Sequence, residues 1–232
     1  TPVPGTRYYP NTVVYIYHVQ LLLFSLSMVL DSLKCDHNHE NDQFSWDSKT
    51  AVWYAAEYGD HISNDLTINN IALKKNDILL DIGCGTGRAV RLAAKICTAG
   101  KVIGIDPTAA MVRIAQGEKG DNYSNFDFII GSAEKIPLPD KSISIATAIN
   151  SLHHWQDYKK GLVEINRVLR QDGSFIITND IVDDNTCGHG EGPLEKPEDI
   201  ILILEQTKFT DISLKEYKHG EAGIYLISCK KP

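Results

Sequence analysis

The chain has 232 residues, of which 43% are hydrophobic and 23% charged, and its formal net charge is −7. This is an ordinary globular composition that can support a core of useful size. An acidic chain without a Lys/Arg cluster argues against a nucleic-acid backbone as the main partner. Its five cysteines are an odd number with no C-x-x-C pair, so we interpret them as reduced thiols and expect a cytoplasmic protein.

Residues 1–47 differ from the rest, and we assign them to an N-terminal extension of uncertain role that precedes a domain over 48–232. The apolar run at 13–30 is near the lower length limit for a membrane span. It is a signal anchor, a helix packed on the domain, or a leader outside the functional domain. Only Arg7 precedes the run and no small-residue cleavage site follows it, so we do not favour membrane contact through 13–30, although it stays open.

The segment that follows the apolar run is polar and contains Cys35, His37 and His39. Alternating cysteine and histidine residues can bind a metal. Because no second ligand pair stands at zinc-site spacing, a solvated linker is the favoured interpretation. We therefore predict no metal site.

From residue 49 onward, helical and strand patterns alternate. The helices indicated by apolar spacing are 49–58, 61–72, 88–97, 109–116, 132–135, 158–169 and 197–207. The predicted strands are 78–82, 101–105, 126–130, 142–149, 174–179, 211–217 and 224–229, with a turn at 171–173. This order predicts an α/β fold with a Rossmann-like seven-stranded sheet, mostly parallel with an antiparallel edge hairpin and helices on both faces.

A glycine-rich segment directly follows the first predicted strand. Gly83, Gly85 and Gly87 stand at alternate positions, and glycine lets the backbone turn sharply and approach a ligand closely. The helix that follows offers unpaired N–H groups and a positive dipole end. A dinucleotide fingerprint needs a third glycine three residues after the second, where this chain has Arg88. The spacing therefore counts against a dinucleotide oxidoreductase, which remains an alternative.

Two aspartates end the first two predicted strands. Asp81 precedes the glycine turn, and a buried carboxylate there needs a partner, either a cationic amino group of a ligand or N–H groups of the turn. Asp106 ends the next strand, where a carboxylate can accept both hydrogens of a ribose diol. The alternative for Asp106 is an N-cap of the following helix. Because the glycine turn precedes it, we favour ribose binding.

Polar segments also follow the third and fourth strands, at 131–134 and 150–155. The backbone N–H of Ala133 and a neighbouring side chain could read an adenine edge at this side of the sheet.

Taken together, the motifs resemble class I S-adenosylmethionine-dependent methyltransferases, in particular the small-molecule branch that includes ubiquinone- and menaquinone-type enzymes. The segments that carry the resemblance are LLDIGCGTGR (79–88), VIGIDPTAAMVRIAQ (102–116), GSAEKIPLPDKSIS (131–144), INSLHHW (149–155) and EINRVLRQDGSFIITN (164–179).

The resemblance implies S-adenosylmethionine as cofactor and a role for each matching position. Asp81, Gly83 and Gly85 would hold the methionine end of the cofactor, and Asp106 would take the ribose hydroxyls. Pro107 and Met111 would flank the adenine. The predicted cofactor site is completed by Cys84, Ser132, Ala133, Glu134 and Asn150, of which Ala133 and Glu134 would contact the adenine edge.

The predicted catalytic residues are His154, His153 and Asn150. Histidine titrates near neutrality, and both histidines follow the fourth strand at the edge of the crevice. The alternative is that one of them packs against or caps the next helix; we favour His154 as the base. Asn150 and His154 would line the passage between cofactor and acceptor, as the resemblance implies.

On the acceptor side, Tyr54 and Tyr58 are the predicted substrate contacts, on an aromatic face that they share with Trp53. In similar enzymes a residue at the position of Tyr54 closes over the methyl group. The alternative is that these rings only pack the helix. The glycine-rich loop 180–193 is either a flap or a plain connection.

The predicted function is methyl transfer from S-adenosylmethionine to a small-molecule acceptor by in-line displacement, with no nucleic-acid partner. The alternative from another class is a methyltransferase-fold protein that binds or assembles without catalysing, because a fold alone does not fix a function. The sequence identifies neither the acceptor nor the oligomeric state.

Overall fold

A computed structural model of the protein describes residues 46–118, 124–181, 194, 196–220 and 222–231. These residues form a seven-stranded sheet in the order β3-β2-β1-β4-β5-β7-β6. The strands are β1 (Ile78–Ile82), β2 (Lys101–Asp106), β3 (Phe126–Ile130), β4 (Ile143–Ile149), β5 (Leu169–Asp180), β6 (Thr210–His219) and β7 (Ala222–Lys230).

The predicted fold class is confirmed. The neighbouring pairs from β3 through β5 are parallel, whereas β7 runs antiparallel to both β5 and β6. The β6–β7 hairpin closes at Gly220, whose φ of 62° is the left-handed conformation that favours glycine. Strand β1 lies between β2 and β4, with Leu80 opposite Ile103 of β2 and Ala146 of β4. The carboxyl ends of β1, β2 and β4 therefore meet at one edge of the sheet.

Helices cover both faces of the sheet. They are α1 (Ser48–Tyr58), α2 (Ile62–Asn70), α3 (Arg88–Ala94), α4 (Ala109–Gly117), α5 (Tyr158–Val168) and α6 (Pro197–Gln206), with a 3₁₀ turn at Leu152–His154. Successive residues of β1 point to opposite faces, so Leu79 packs in a core with α2, α3 and α4, and Leu80 in a core with α5 and α6. Helix α1 packs through Ala51 against Met111 of α4.

Two local predictions were wrong. Residues 132–135 form a tight turn instead of a helical one: the N–H of Lys135 donates to the carbonyl of Ser132 at 3.2 Å, and the two residues form an isolated antiparallel bridge. Pro137 soon follows and restricts the preceding residue to extended backbone, which prevents a helix from continuing. The turn expected at 171–173 does not interrupt the chain as a separate loop. It is an irregularity within β5, where Asp172 has a φ of 61° and the pairing with β4 shifts register.

The predicted N-terminal extension, the metal alternative at Cys35, His37 and His39, and the loop 182–193 lie outside the described residues, apart from Trp46 and Asp47. Among the residues that the structure describes, no helix is both long and apolar enough to span a membrane. Cys84, Cys97 and Cys229 are free and buried.

Candidate functional site

The glycine turn after β1 has the geometry of a ligand cradle. Gly83, Gly85 and Gly87 all have positive φ, at 73°, 51° and 82°. A side chain at Gly87 would collide with Phe128, because an added Cβ would lie 2.3 Å from the ring. At Gly85 an added Cβ would meet no atom within 4 Å. The open side of the turn is therefore at Gly85, at the carboxyl end of β1.

Asp106 is joined directly to this turn. Its Oδ2 accepts a hydrogen bond from the Gly85 N–H at 3.1 Å, and its Oδ1 accepts one from the Thr108 N–H at 2.8 Å. Burial raises the pKa of Asp106, while the two backbone N–H groups act to lower it. Helix α4 begins at Ala109 with Thr108 as its N-cap, so Asp106 supports the entry to the helix without being the cap. A carboxylate has further lone pairs, and those of Asp106 can accept hydroxyl donors.

Asp81 is a second buried carboxylate at the same edge. Only 3% of the residue is exposed, and its Oδ1 accepts a hydrogen bond from the Thr147 hydroxyl at 2.7 Å. Burial raises the pKa of Asp81 to about 7, with a smaller contribution from the negative charge of Asp106. Adjacent carboxylates of this kind attract a cation, since a positive group would favour their charged forms.

The side chains of the predicted adenine contacts differ in how deeply they are buried. Pro107 and Ser132 are half-buried, whereas Ala133 lies in the core on the α5 side. Met111 is 1% exposed and packs with Ala51 between α1 and α4. Met111 and Ala133 are thus core residues as well as candidate contacts.

Glu134 and Cys84 carry structural contacts of their own. The Oε1 of Glu134 accepts hydrogen bonds from the N–H groups of Gln156 and Asp157, at 3.0 and 3.3 Å, and so ties this turn to the start of α5. The Cys84 thiol is buried in the core, where burial raises its pKa, and a Cβ at Gly104 would lie 2.8 Å from its Sγ. Any contact of Cys84 with a ligand would therefore come from its backbone.

Asn150 connects three elements at the end of β4. Its Oδ1 accepts from the Asp180 N–H at 3.0 Å, and its Nδ2 donates to Asp180 Oδ2 at 2.9 Å and to Ser63 Oγ at 3.1 Å. Its φ of 47° turns the chain away from the strand. Asn150 thereby joins the carboxyl ends of β4 and β5 to helix α2.

The predicted histidines and tyrosines form an aromatic group beside this edge. His153 and His154 lie on the 3₁₀ turn with ring centroids 4.1 Å apart, and the His154 ring meets Trp46 edge-on at 6.0 Å. Tyr54 lies 4.5 Å from Trp46 and 5.0 Å from Tyr58, again between ring centroids. The structure therefore brings Tyr54, Tyr58 and His154 into one continuous cluster through Trp46.

Comparison with known proteins identifies the family. A model of the methyltransferase domain matches residues 80–177. The chain is 30% identical over 149 residues to a putative methyltransferase of Bacillus subtilis, YrhH, which covers 64% of this chain and 77% of that protein. The chain belongs to the class I S-adenosylmethionine-dependent methyltransferases. Its cofactor is accordingly S-adenosylmethionine.

Other relatives agree with this assignment. An uncharacterized methyltransferase of Bacillus subtilis, YcgJ, is 34% identical over 137 residues, which are 57% of this chain and 53% of that protein. The chain therefore spans about half the length of YcgJ. The crystal structure of an S-adenosylmethionine-dependent methyltransferase from Aquifex aeolicus matches the fold with a TM-score of 0.64 at 20% identity, over 81% of this chain and 100% of that one.

The described residues of this methyltransferase fit its cofactor. The space beside Gly85 is open, since no protein atom lies within 4 Å of an added Cβ, and Asp106 stands beside it with free accepting capacity. Asp81 supplies a buried negative charge suited to the cationic amino-acid end. These three positions were predicted from the sequence, and the structure brings them together at one edge of the sheet.

Sequence reasoning missed three polar residues of the methyltransferase. The Nδ1 of His61 lies 3.0 Å from Ser63 Oγ and 3.5 Å from Asp180 Oδ2. Because His61 and Asp180 are far apart in the chain, no local spacing could connect them. One signal was present: Asp180 ends a strand with a carboxylate, as Asp106 does, and Asp81 lies one residue before the end of β1.

Proposed function

We propose that this methyltransferase transfers the methyl group of S-adenosylmethionine to a small-molecule acceptor by in-line displacement. The observation that carries the proposal is the junction of the Gly85 N–H with the Asp106 carboxylate, beside an open cradle at the carboxyl end of β1. In open α/β sheets this is where nucleotide-type ligands bind. The cofactor, when bound, supplies an activated methyl group on a sulfonium.

The residues around the crevice have to hold two reactants in line and keep water away. Alignment of this kind can contribute roughly 7–11 kcal/mol to a reaction. In this proposal Asp106 accepts the ribose hydroxyls and the buried carboxylate of Asp81 binds the amino-acid end. We infer that Pro107, Met111 and the segment 132–134 border the adenine.

A small acceptor fits the aromatic cluster better than a polymer does. Trp46 and Tyr58 are 37% and 39% exposed, and with Tyr54 they form a wall of rings beside the end of β4. Such rings bury apolar ligand surface and orient flat molecules. The acidic net charge of −7 disfavours a nucleic-acid backbone as the acceptor.

The proposal is tested by incubating the full chain with S-adenosylmethionine labelled in its methyl group and a panel of phenols, amines, thiols and carbon acids. We expect label to enter at least one small acceptor, with one S-adenosylhomocysteine formed for each product. If cofactor binds tightly but no acceptor in the panel is labelled, the alternative of a non-catalytic binding or assembly protein is favoured. That outcome would contradict methyl transfer.

A further inference from the structure

We propose that His61, oriented by Asp180, is the general base that takes the proton from a hydroxyl acceptor. The proposal rests on the proposed methyl transfer and assigns a substrate class to it. It stands on a cluster of four polar side chains from the start of α2 and the ends of β4 and β5: His61, Ser63, Asn150 and Asp180. Asn150 belongs to a segment that carries the family resemblance, whereas His61, Ser63 and Asp180 lie outside those segments.

The loop that carries His61 is fixed to the glycine turn. The Thr86 hydroxyl donates to the Gly59 carbonyl at 2.9 Å. Arg88 bonds Asp60 and Asp65, both at 2.6 Å, on either side of His61 in sequence. The cofactor turn and the α1–α2 loop are thus held as one unit, and His61 keeps a set position beside the crevice.

The hydrogen bonds of the cluster orient the imidazole. Asp180 Oδ2 accepts from Asn150 Nδ2 at 2.9 Å and lies 3.5 Å from His61 Nδ1. We infer that Nδ1 carries the proton and donates it to Ser63 Oγ at 3.0 Å, beside the Asp180 carboxylate, which leaves the lone pair on Nε2. Within the described part of the chain, Nε2 has no hydrogen-bond partner, and 38% of the His61 side chain is exposed. Nε2 is therefore the atom able to accept a proton.

The position of the cluster matches the acceptor side of the crevice. In the sheet order, β2 and β4 lie on opposite sides of β1. Asp106, the candidate ribose ligand, ends β2, whereas Asn150 and Asp180 stand at the carboxyl ends of β4 and β5. His61 consequently lies across β1 from the ribose side, and we infer that the acceptor approaches from there.

In the proposed step, the acceptor hydroxyl gives its proton to His61 Nε2. The oxygen electron pair forms the new bond to the methyl carbon, and the carbon–sulfur bond breaks with its electron pair remaining on sulfur, giving a neutral sulfide. The imidazolium formed is stabilised by the Asp180 carboxylate, and it returns its proton to solvent after product leaves. A base of this kind contributes about 10²–10⁴-fold to the rate.

The first test needs no turnover. In cofactor-free protein labelled with ¹⁵N-histidine, nitrogen shifts report which ring nitrogen of His61 carries the proton. We expect the Nδ1–H form, and a carboxyl ¹³C titration should show that His61→Gln raises the pKa of Asp180, because the charge of His61 acts to lower it. An Nε2–H form would overturn the proposal whether or not an acceptor is known, since Nε2 could not then receive a proton.

The second test compares His61→Gln with His219→Gln, a matched change at the exposed end of β6. We expect His61→Gln to lower kcat about 10²–10⁴-fold on the phenol acceptors with a smaller change in KM. The Kd of His61→Gln for S-adenosylmethionine should stay within about twofold of the wild-type value, which is well below the tenfold change that corresponds to about 1.4 kcal/mol. Added imidazole should partly restore His61→Ala, and His219→Gln should behave as the wild type.

A His61→Gln variant with wild-type kcat, or loss of proton transfer in His154→Gln alone, would overturn the role of His61 and leave the proposed function intact. Failure of the wild-type protein to label any acceptor would instead count against the proposed function. The two failures are therefore distinguishable.

Discussion

At the scale of single residues, Asp81 links cofactor binding to pH. Burial raises its pKa from 3.8 in the unfolded chain to about 7, so the folded protein retains a proton on Asp81 across that interval. Its contribution to stability is present at low pH and is lost as the pH rises through about 7. The folded protein without cofactor favours the protonated form of Asp81. The cationic end of the cofactor would instead favour the charged carboxylate of Asp81.

We therefore predict that S-adenosylmethionine binding weakens as the pH falls from 8 to 6, by up to about tenfold for each pH unit below the raised pKa of Asp81. Isothermal titration in buffers of different ionisation enthalpy should show protons released on binding below neutrality. In the Asp81→Asn variant, the number of protons released on binding should fall to the number that Asp106 alone releases. Equal proton release by the variant and the wild type would contradict the role of Asp81.

Gly85 and Gly87 offer a second comparison between single residues. Alanine at Gly87 meets the Phe128 ring at 2.3 Å and should destabilise the fold by roughly 1–3 kcal/mol through overpacking. Alanine at Gly85 meets no protein atom, so it should cost only about 1–2 kcal/mol for its positive φ. Gly85→Ala should nevertheless lose most cofactor affinity, because its methyl group enters the cradle.

Thermal unfolding and titration calorimetry on both glycine variants separate the two effects. A Gly85→Ala protein that binds S-adenosylmethionine like the wild type would show that the cofactor does not use the open side of the turn. Equal destabilisation by the two substitutions would contradict the packing described for Gly87.

At the scale of elements, Arg88 joins the start of α3 to the α1–α2 loop through Asp60 and to helix α2 through Asp65. It bonds Asp65, whose side chain is 24% exposed, and Asp60, whose side chain is 85% exposed. The more buried pair should carry more of the energy, because exposed ion pairs contribute little. We predict that Asp65→Ala lowers the free energy of unfolding by on the order of 1 kcal/mol and that Asp60→Ala has a much smaller effect.

Chemical denaturation of the two single variants and of Arg88→Ala combined with each aspartate variant measures these energies. The coupling between Arg88 and Asp65 should exceed that between Arg88 and Asp60. The reverse order would mean that the exposed Asp60, and not Asp65, is the main partner of Arg88.

Most helices and strands could be predicted from the sequence because local residue patterns determine them. Apolar runs such as 78–82 and the glycines after them specify strand and turn with little help from the rest of the chain. The tight turn at 132–135 was predicted to be helical although Pro137 follows it closely, and the contact of Glu134 with the start of α5 could not be predicted because it exists only in the folded chain. The cluster of His61 with Asp180 escaped prediction for the same reason, since only the folded sheet brings them together.

At the scale of the whole molecule, one edge of the sheet gathers groups from across the chain. Strand order places Asp106, Asp81 and Asn150 at the ends of three adjacent strands, and α1 adds the aromatic wall. Family membership accounts for the cofactor side of this edge. The proposals made for the aromatic wall and for His61 concern the acceptor side of the same edge.

The most direct test of the central claim is titration calorimetry of the full chain with S-adenosylmethionine, comparing the wild type with Asp106→Asn. The variant keeps the size of the side chain, and Asp199→Asn on the exposed face of α6 is its matched control. Loss of charged hydrogen bonds to the ribose should weaken binding by about 10–100-fold in Asp106→Asn and leave Asp199→Asn unchanged. Absence of binding by the wild type at millimolar cofactor, or equal affinity of Asp106→Asn and the wild type, would contradict the account.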